Sequence, residues 1–453
     1  MDKRICMAVL AAVAGLGLGS VASAAVFHDA DFTGTRAWDN PDAWVENDVP
    51  TSASDIIYIN KSIVTASTVP STGNFTGGEI HISGTGQLQL IGFWATSSIA
   101  HVNVRMDGGT LFVGMANTVV RAGGKQLLHV EGVSTLQSGG NWMGNGSTLG
   151  GGGDGGWNYR SAQLSGDGTL IILAPDTWMA LGSDAAFNAV MANGMTGSTF
   201  TGVFDVRQGQ LNVQARDFTD KGTVLLNDTS LKLDYQGPVD VKNLYGSGNI
   251  RFYDGTNRPM SYLAIVGELN PSGIGADGLA DPNTAGQITR SPVFYNASGG
   301  VGNQANNSLV FKSGSQLVMD VFSEDPEGAD RVVWTDAIGS SVMDFASAEL
   351  VIQMHFAGTP GTPYSWLLID GDDFGIVNLT SGAKTLSDIK FLNDDGDNVT
   401  FGNNPGWTLS LEYDRTVGSN QVWLHGTYGA IPEPASLGFL GLGAIGLLAR
   451  RRR

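Results

Sequence analysis

Phe204-Asp205-Val206-Arg207-Gln208-Gly209-Gln210-Leu211-Asn212-Val213 is the stretch whose reading decides the fold. Two apolar pairs, Phe204-x-Val206 and Leu211-x-Val213, alternate with polar residues on either side of a glycine-containing turn. Alternation with period two buries one face of a strand and leaves the other in water. Working outward, the same unit returns as Val224-x-Leu226 with Leu231-x-Leu233, and as Leu244 with Ile250-x-Phe252. Upstream it reads Ile80-x-Ile82 with Leu88-x-Leu90 around Gly84-Thr85-Gly86, and Val102-x-Val104 with Leu111-x-Val113 around Gly108-Gly109. Leu128-x-Val130 with Leu136, and Leu164 with Leu170-x-Ile172, are further copies.

The leading residue of each second strand falls at 88, 111, 136, 170, 211, 231 and 250, giving intervals of 23, 25, 34, 41, 20 and 19. A recurring interval of roughly 20–25 residues is the length of one coil in a parallel β-solenoid. The alternative is an antiparallel sandwich made of the same hairpins. The recurring interval and the short Gly/Asp/Asn turns favour the solenoid. It predicts that Leu88, Leu111, Leu211, Leu231 and Ile250 point into one core and stack on neighbouring coils.

Composition agrees with such a body. Gly accounts for 64 of 453 residues, about twice the usual share, and charged residues for only 15%. Hydrophobic residues make up 42%, enough to bury a core and to exclude disorder. The net charge of −18 repels nucleic acid and anionic lipid surfaces, leaving neutral or cationic polymers as partners. No nucleic-acid partner is expected.

Both ends carry address signals. Met1 to Ala24 has Lys3 and Arg4, an apolar core from Ile5 to Leu18, and Ala22-Ser23-Ala24 before Ala25. That pattern is a secretory signal, and it implies signal peptidase and the Sec export machinery as partners. The single cysteine, Cys6, lies inside it, so the mature chain has no disulfide to rely on. At the other end stand Pro432-Glu433-Pro434, an apolar stretch from Ala435 to Ala449, and Arg450, Arg451, Arg452 and Arg453. The apolar stretch is roughly 22 Å long as a helix, short for a bilayer core of about 30 Å. The arginines prefer the cytoplasmic side, which puts the preceding chain outside the inner membrane. Gly441-x-Gly443-x-x-Gly446 fits a dinucleotide-binding pattern, but no strand precedes it and it lies within the apolar tail, so the match is spurious.

The triplet, short apolar helix and basic cluster in this order resemble a PEP-CTERM sorting signal, the substrate tag of bacterial exosortases. The resemblance covers residues 432–453. It implies transient anchoring in the inner membrane, processing near the triplet by an exosortase-type membrane transpeptidase, and delivery to the cell surface or extracellular matrix. Trp38-Asp39-Asn40-Pro41 with Trp44, then Pro50 and Asp55 before Ile56-Ile57-Tyr58-Ile59, resembles the opening of exported β-helical bacterial proteins. Gly-Gly-x-Leu-x-Val steps such as Gly108 to Val113 resemble autotransporter-like β-helical proteins. Such an opening would cap the first coil.

Other segments interrupt or follow the repeat. Gly139 to Tyr159, with Gly150 to Gly153 at its centre, reads as too flexible for a strand. Ser183 to Gly194 reads as a short helix. The expected organisation is a signal peptide at 1–24, solenoid repeats with an N-terminal cap at 25–266, and a Gly/Pro/Asn-rich loop or linker at 267–308. A β-rich block at 309–429 and the sorting tail at 430–453 follow. The block's order, with Gly328-Ala329-Asp330 and Tyr364-Ser365-Trp366-Leu367-Leu368-Ile369-Asp370, resembles the close of exported PEP-CTERM β-proteins. Whether it continues the solenoid or forms a separate sandwich is open at this stage.

Candidate chemistry is sparse. Asp370, Asp372 and Asp373, and Asp394, Asp395 and Asp397, are acidic turns in which calcium is an alternative to plain turn chemistry. An EF-hand reading fails, because with Gly396 sixth the first ligand would be Phe391. His81 and His129 occupy equivalent places in their units, with Asn103 between them by alignment; a polar outer-face ladder accounts for them better than a metal site. His28, His355 and His425 have no partner at ligand spacing. Arg207, Arg216 and Lys221 are the bases a polysaccharide lyase would need, without grouped acids. No nucleophile elbow, P-loop or zinc-protease motif occurs, so no catalytic residue, no resident metal and no cofactor is expected. Trp142, Trp157 and Tyr159 are candidates for stacking on sugar rings.

The sequence therefore reads as an all-β protein: a right-handed, β-helix-like parallel β-solenoid with a C-terminal β-rich block and a single C-terminal hydrophobic helix. Its expected role is that of a non-enzymatic, structural or adhesive exported protein. The alternative is a β-helix that binds or cleaves glycans, with extracellular polysaccharide as partner.

Overall fold

The structure is a computed structural model that describes residues 25–50, 55–64, 79–90, 103–113, 126–138, 157–160, 162–182, 199–213, 219–233, 238–252, 262–290, 308–334, 342–345, 348–371, 375–377, 389–393, 398–399, 407–414 and 420–429. The signal peptide at 1–24, the short helix expected at 183–194 and the hydrophobic helix expected at the C-terminus all fall outside these residues. Among the described residues, no helix is long and apolar enough to cross a membrane.

The described chain is almost entirely strand, and most of its pairing is parallel. Three ladders of parallel pairs run through it. In the first, Ile57 pairs with Ile80, Ile80 with Val104, Val104 with Leu128 and Leu128 with Leu164. In the second, Ile63, Leu88, Leu111, Leu136, Ile172, Val206 and Leu226 pair in succession. The third carries Leu211 on Leu231 and Leu231 on Ile250. All these side chains are buried in a single apolar core. The polar residues between them face outward because successive side chains alternate across a strand.

Most repeats are not hairpins. Each is a strand such as Glu79–Leu90 or Asn103–Val113 that bends at its glycines and passes from one ladder to the next. Gly246 shows why glycine is needed at such a corner. Its φ is +90°, and a Cβ there would lie 2.0 Å from the Leu226 carbonyl oxygen of the adjacent rung. Only a residue without a side chain allows the rungs to approach this closely.

Several placements differ from the sequence reading. Leu170 is not the counterpart of Leu136; Ile172 is, and Leu170 pairs onward with Phe204. The expected single stack from Leu88 to Ile250 is split between the second and third ladders, although every member is at most 1% exposed. Trp157–Arg160, placed in a flexible insertion, is a strand paired with residues 179–182. The loop or linker expected at 267–308 contains strand through Pro271 and again at Gln287–Arg290, both paired into the ladders. Between them a small antiparallel excursion, Gly273–Ile274 with Ala280–Asp281, is tied down where the Ala280 amide donates to Asn227 Oδ1 at 2.6 Å. Residues 291–307 lie outside the described residues.

The block from Leu309 onward carries the same ladders. Leu269, Leu317, Leu350 and Ile389 pair in parallel succession, as do Leu263, Leu309 and Met343. Antiparallel pairing appears at the far end, where Gln421–Tyr428 lies between Pro363–Asp370 and Trp407–Asp414.

Aromatic groups sit at both ends of the core. Trp44 is 1% exposed, packs edge-on against Trp38 at 5.0 Å, and donates its indole N–H to the Trp38 carbonyl at 3.0 Å. Pro41–Ala43 between them is a 3₁₀ turn, with the Asn40 side chain accepting from the Asp42 amide. At the other end Trp366, Trp407, Tyr364 and Phe356 form one cluster with centroids 5.4–6.3 Å apart. Trp366 donates to the Ser323 carbonyl at 3.0 Å, which satisfies its buried N–H.

Candidate functional site

Two polar strips on the outer faces bring functional side chains together. The first runs along the first ladder as His28, Tyr58, His81, Arg105, His129 and Ser165, each paired with the next. The sequence alignment put Asn103 between the two histidines. The structure puts Arg105 there, because Ile80 pairs with Val104 and Ile82 with Met106, a shift of two residues. Met106, wholly buried, supplies the second inward position.

The rings of this strip stack on one another: His28 on Tyr58 at 5.1 Å, and Tyr58 on His81 at 4.6 Å. Carboxylates line it. Glu46 meets His28 at 3.1 Å, Glu79 meets His81 at 3.0 Å, and Glu131 joins Arg105 at 2.7 Å to His129 at 3.0 Å. Hydrogen bonds from Arg105 and His129 hold the Glu131 carboxyl below its ordinary value. Burial pushes Glu46 up, but the hydrogen bonds from His28 outweigh it and leave that carboxyl lowered. With ring faces and carboxylates turned on each other, this strip is a stabilising ladder of the kind cross-strand pairs provide.

The second strip lies over the second ladder, between rungs 262–290 and 389–393, and holds an open groove of about 360 Å³. Glu268 and Asn270, then Gln316, Gln353 and Lys390, form its polar rim; Val318, Val351 and Leu392 form its floor. Register explains the arrangement. Glu268 pairs with Gln316 and Gln316 with Glu349, while Val318 pairs with Val351 and Val351 with Lys390. Glu349 anchors both neighbours, accepting from Gln316 at 2.7 Å and from Lys390 at 2.6 Å.

At the rim and behind it, two carboxyls and a phenol have altered proton affinity. Burial pushes Glu268 up, Asp320 adds to this, and a hydrogen bond with Tyr245 opposes it. Burial, with the Glu268 charge, drives Tyr245 up to about 12. Asp330 is fully enclosed, and burial lifts it to about 8 despite accepting from the Gly286 and Asp320 amides at 2.8 and 3.0 Å. Asp320 in turn accepts from Asn270 at 3.3 Å and meets His355 Nε2 at 2.9 Å. Glu268 and Asn270 were missed because they lie in the stretch read as linker. Alternation on the strands Gln316–Val321 and Glu349–Met354 was the available signal, since it sets Gln316, Val318 and Asp320 on one face.

The remaining sequence candidates are dispersed. The side chains of Trp157 and Tyr159, all of Trp142, and Arg216 lie outside the described residues. So do Asp372, Asp373, Asp394, Asp395 and Asp397. Asp370 accepts from Gln421 at 3.2 Å. Arg207 pairs with Asp205 at 2.7 Å and Lys221 with Asp220 at 3.2 Å. His425 has Glu412 at 2.9 Å and Ser365 at 2.8 Å. Partners that sequence spacing did not offer thus come to His355 from another rung, to His425 from the adjacent antiparallel strand and to His28 from the turn after Trp44. Among the described residues no group of three or more His, Cys, Asp or Glu is placed to hold a metal ion.

The fold defines an all-β body of stacked, mostly parallel strands, and any class beyond that comes from the C-terminal tail. Residues 430–453 match the PEP-CTERM protein-sorting motif, so the chain carries that signal, which supports export and exosortase processing. The signal-cleavage residues Ala22 and Ala24, and the motif residues themselves, lie outside the described residues. Among curated proteins, spastin of Drosophila grimshawi is 32% identical over 118 residues. That alignment covers 24% of this chain and 15% of the length of that protein, too little of either to carry a role. No solved structure matches the chain.

Proposed function

We propose that this protein is a structural or adhesive component of the cell surface or extracellular matrix, built as a right-handed parallel β-solenoid. An exosortase-type transpeptidase releases it from the inner membrane. The sorting motif at 430–453 is the observation that carries this reading. Pro432 and Pro434 disfavour helix in the residues before them, which on this reading leaves the triplet accessible to the enzyme and the apolar stretch from Ala435 to hold the chain in the membrane. Glu433 resists burial and Arg450 to Arg453 resist crossing, which fixes the short helix from both sides. A helix too short for stable spanning suits temporary retention.

The stacked ladders and the aromatic groups at both ends support a scaffold role, since such a body presents long outer faces and a protected core. No catalytic residue is assigned. The test is cell fractionation of a producing strain with and without its transpeptidase, alongside a Pro432→Ala, Glu433→Ala double variant. The reading expects full-length chain in the inner membrane when either the enzyme or the triplet is lost. Unchanged delivery to the surface in both cases would overturn it.

A further inference from the structure

We infer that the groove over the second ladder, bounded by Asn270, Gln316, Gln353 and Lys390, binds a neutral or amine-bearing glycan chain lying across the rungs. This deepens the adhesive reading above and fails or succeeds separately from tail processing.

The chemistry of the lining selects the ligand. A sugar ring offers C–H surfaces together with hydroxyls that both donate and accept. The groove meets the first with Val318, Val351 and Leu392, and the second with side-chain amides, which also donate and accept. Two polar groups here are unused. The Asn270 Oδ1 atom is enclosed without a donor, and the Gln353 amide has no hydrogen-bond partner among the described residues. An unsatisfied buried acceptor is a cost that a ligand hydroxyl, with a small shift of the amide, relieves. By contrast Gln316 and Lys390 are held by Glu349, so they are positioned before any ligand arrives.

Dimensions and charge narrow the class further. Four consecutive strands cross the groove, and at about 4.8 Å per strand they span roughly 14 Å, suited to a short stretch of linear polymer. The volume falls in the range of small-ligand sites, about 300–1,000 Å³. Glu268 and Glu349 flank it on a chain of net charge −18, which disfavours uronic-acid or sulfated polymers and tolerates amino groups. A protein partner fits less well. Three of the groove's four strands are paired on both sides, and the fourth, Ile389–Leu392, is met on its outer side by Asn398–Val399 at Phe391 and Leu392, so little edge is left for strand addition. Among the described residues the exposed large apolar side chains are Val26, Val45, Tyr58, Val133 and Val266, and none of them lines the groove.

The experiment is affinity electrophoresis and titration calorimetry on protein purified from producing cells. The probes are a neutral glucan, a chitosan oligomer and a polyuronate. Gln353→Ala removes a partly exposed side chain that makes no hydrogen bond or ion pair among the described residues, so it is expected to leave the fold intact. It is expected to weaken binding of the neutral or amino glycan by about three- to tenfold, the worth of one or two hydrogen bonds. Gln353→Trp, which fills the groove, should abolish binding. Arg105→Ala, on the other strip, should leave it unchanged. Three results would each overturn the proposal: no probe binds, only the polyuronate binds, or Gln353→Trp binds as the natural protein does.

Discussion

Replacing Leu231 by alanine removes three carbons from a side chain that is 0% exposed and stacked between Leu211 and Ile250. At about 0.8 kcal/mol per buried carbon, the lost transfer free energy is roughly 2.4 kcal/mol. The rungs above and below are held by their own backbone ladders, so the hole collapses only in part, and the cavity raises the loss to about 3–4 kcal/mol. Lys232, the next residue, faces outward on the same strand, and its replacement by alanine should cost no more than about 1 kcal/mol, the worth of a surface interaction. Hydrogen exchange read by mass spectrometry is the suitable assay, because each rung of a stack contacts only its neighbours. Peptides covering 204–252 should lose protection in Leu231→Ala, while those covering 56–64 and 349–370 keep most of theirs. Equal losses for Leu231→Ala and Lys232→Ala would refute the assignment of opposite faces and with it the ladder register.

Other outcomes follow from single features. Gly246→Ala should part the rungs locally, since its Cβ would lie 2.0 Å from a backbone oxygen at φ +90°; expect a lower denaturation midpoint and lost protection at 223–250. Asp330, lifted to about 8, binds more protons folded than unfolded, so its contribution is present below the ordinary carboxylate value and is lost as pH rises towards 8. The urea midpoint should therefore fall across that window, and Asp330→Asn should flatten the fall; an unchanged slope contradicts the burial argument. Trp407→Ala should cost about 3–5 kcal/mol by opening the aromatic cluster around Trp366, read as increased tryptophan quenching and early loss of protection at 363–370.

The inward positions were legible because alternation is local: Ile80, Ile82, Leu88, Leu111 and Leu231 needed only their own strands to be recognised. Which ladder each belongs to was not. Strand length changes along the described chain, from the 12 residues of Glu79–Leu90 to the 15 of Thr219–Leu233, and among the described residues the third ladder begins with Trp157 on Met179. A repeat interval measured across that change aligns unlike positions, as with Leu170 and Leu136. Register also turned on a residue that is not β-branched, Met106, whose burial moved Arg105 rather than Asn103 between the histidines. The groove was hidden for a different reason. Glu268 and Asn270 lie on a strand whose following residues leave the stack and return at Gln287, so composition resembled a linker. The carboxylate partners of His28, His355 and His425 are 18, 35 and 13 residues away in sequence and meet only through stacking or pairing.

Mass spectrometry of the intact protein recovered from the cell surface or matrix tests the central claim most directly. The account predicts a chain that begins at Ala25 and has lost the apolar stretch 435–449 together with Arg450 to Arg453. Surface or matrix protein that still ends in the four arginines would contradict it.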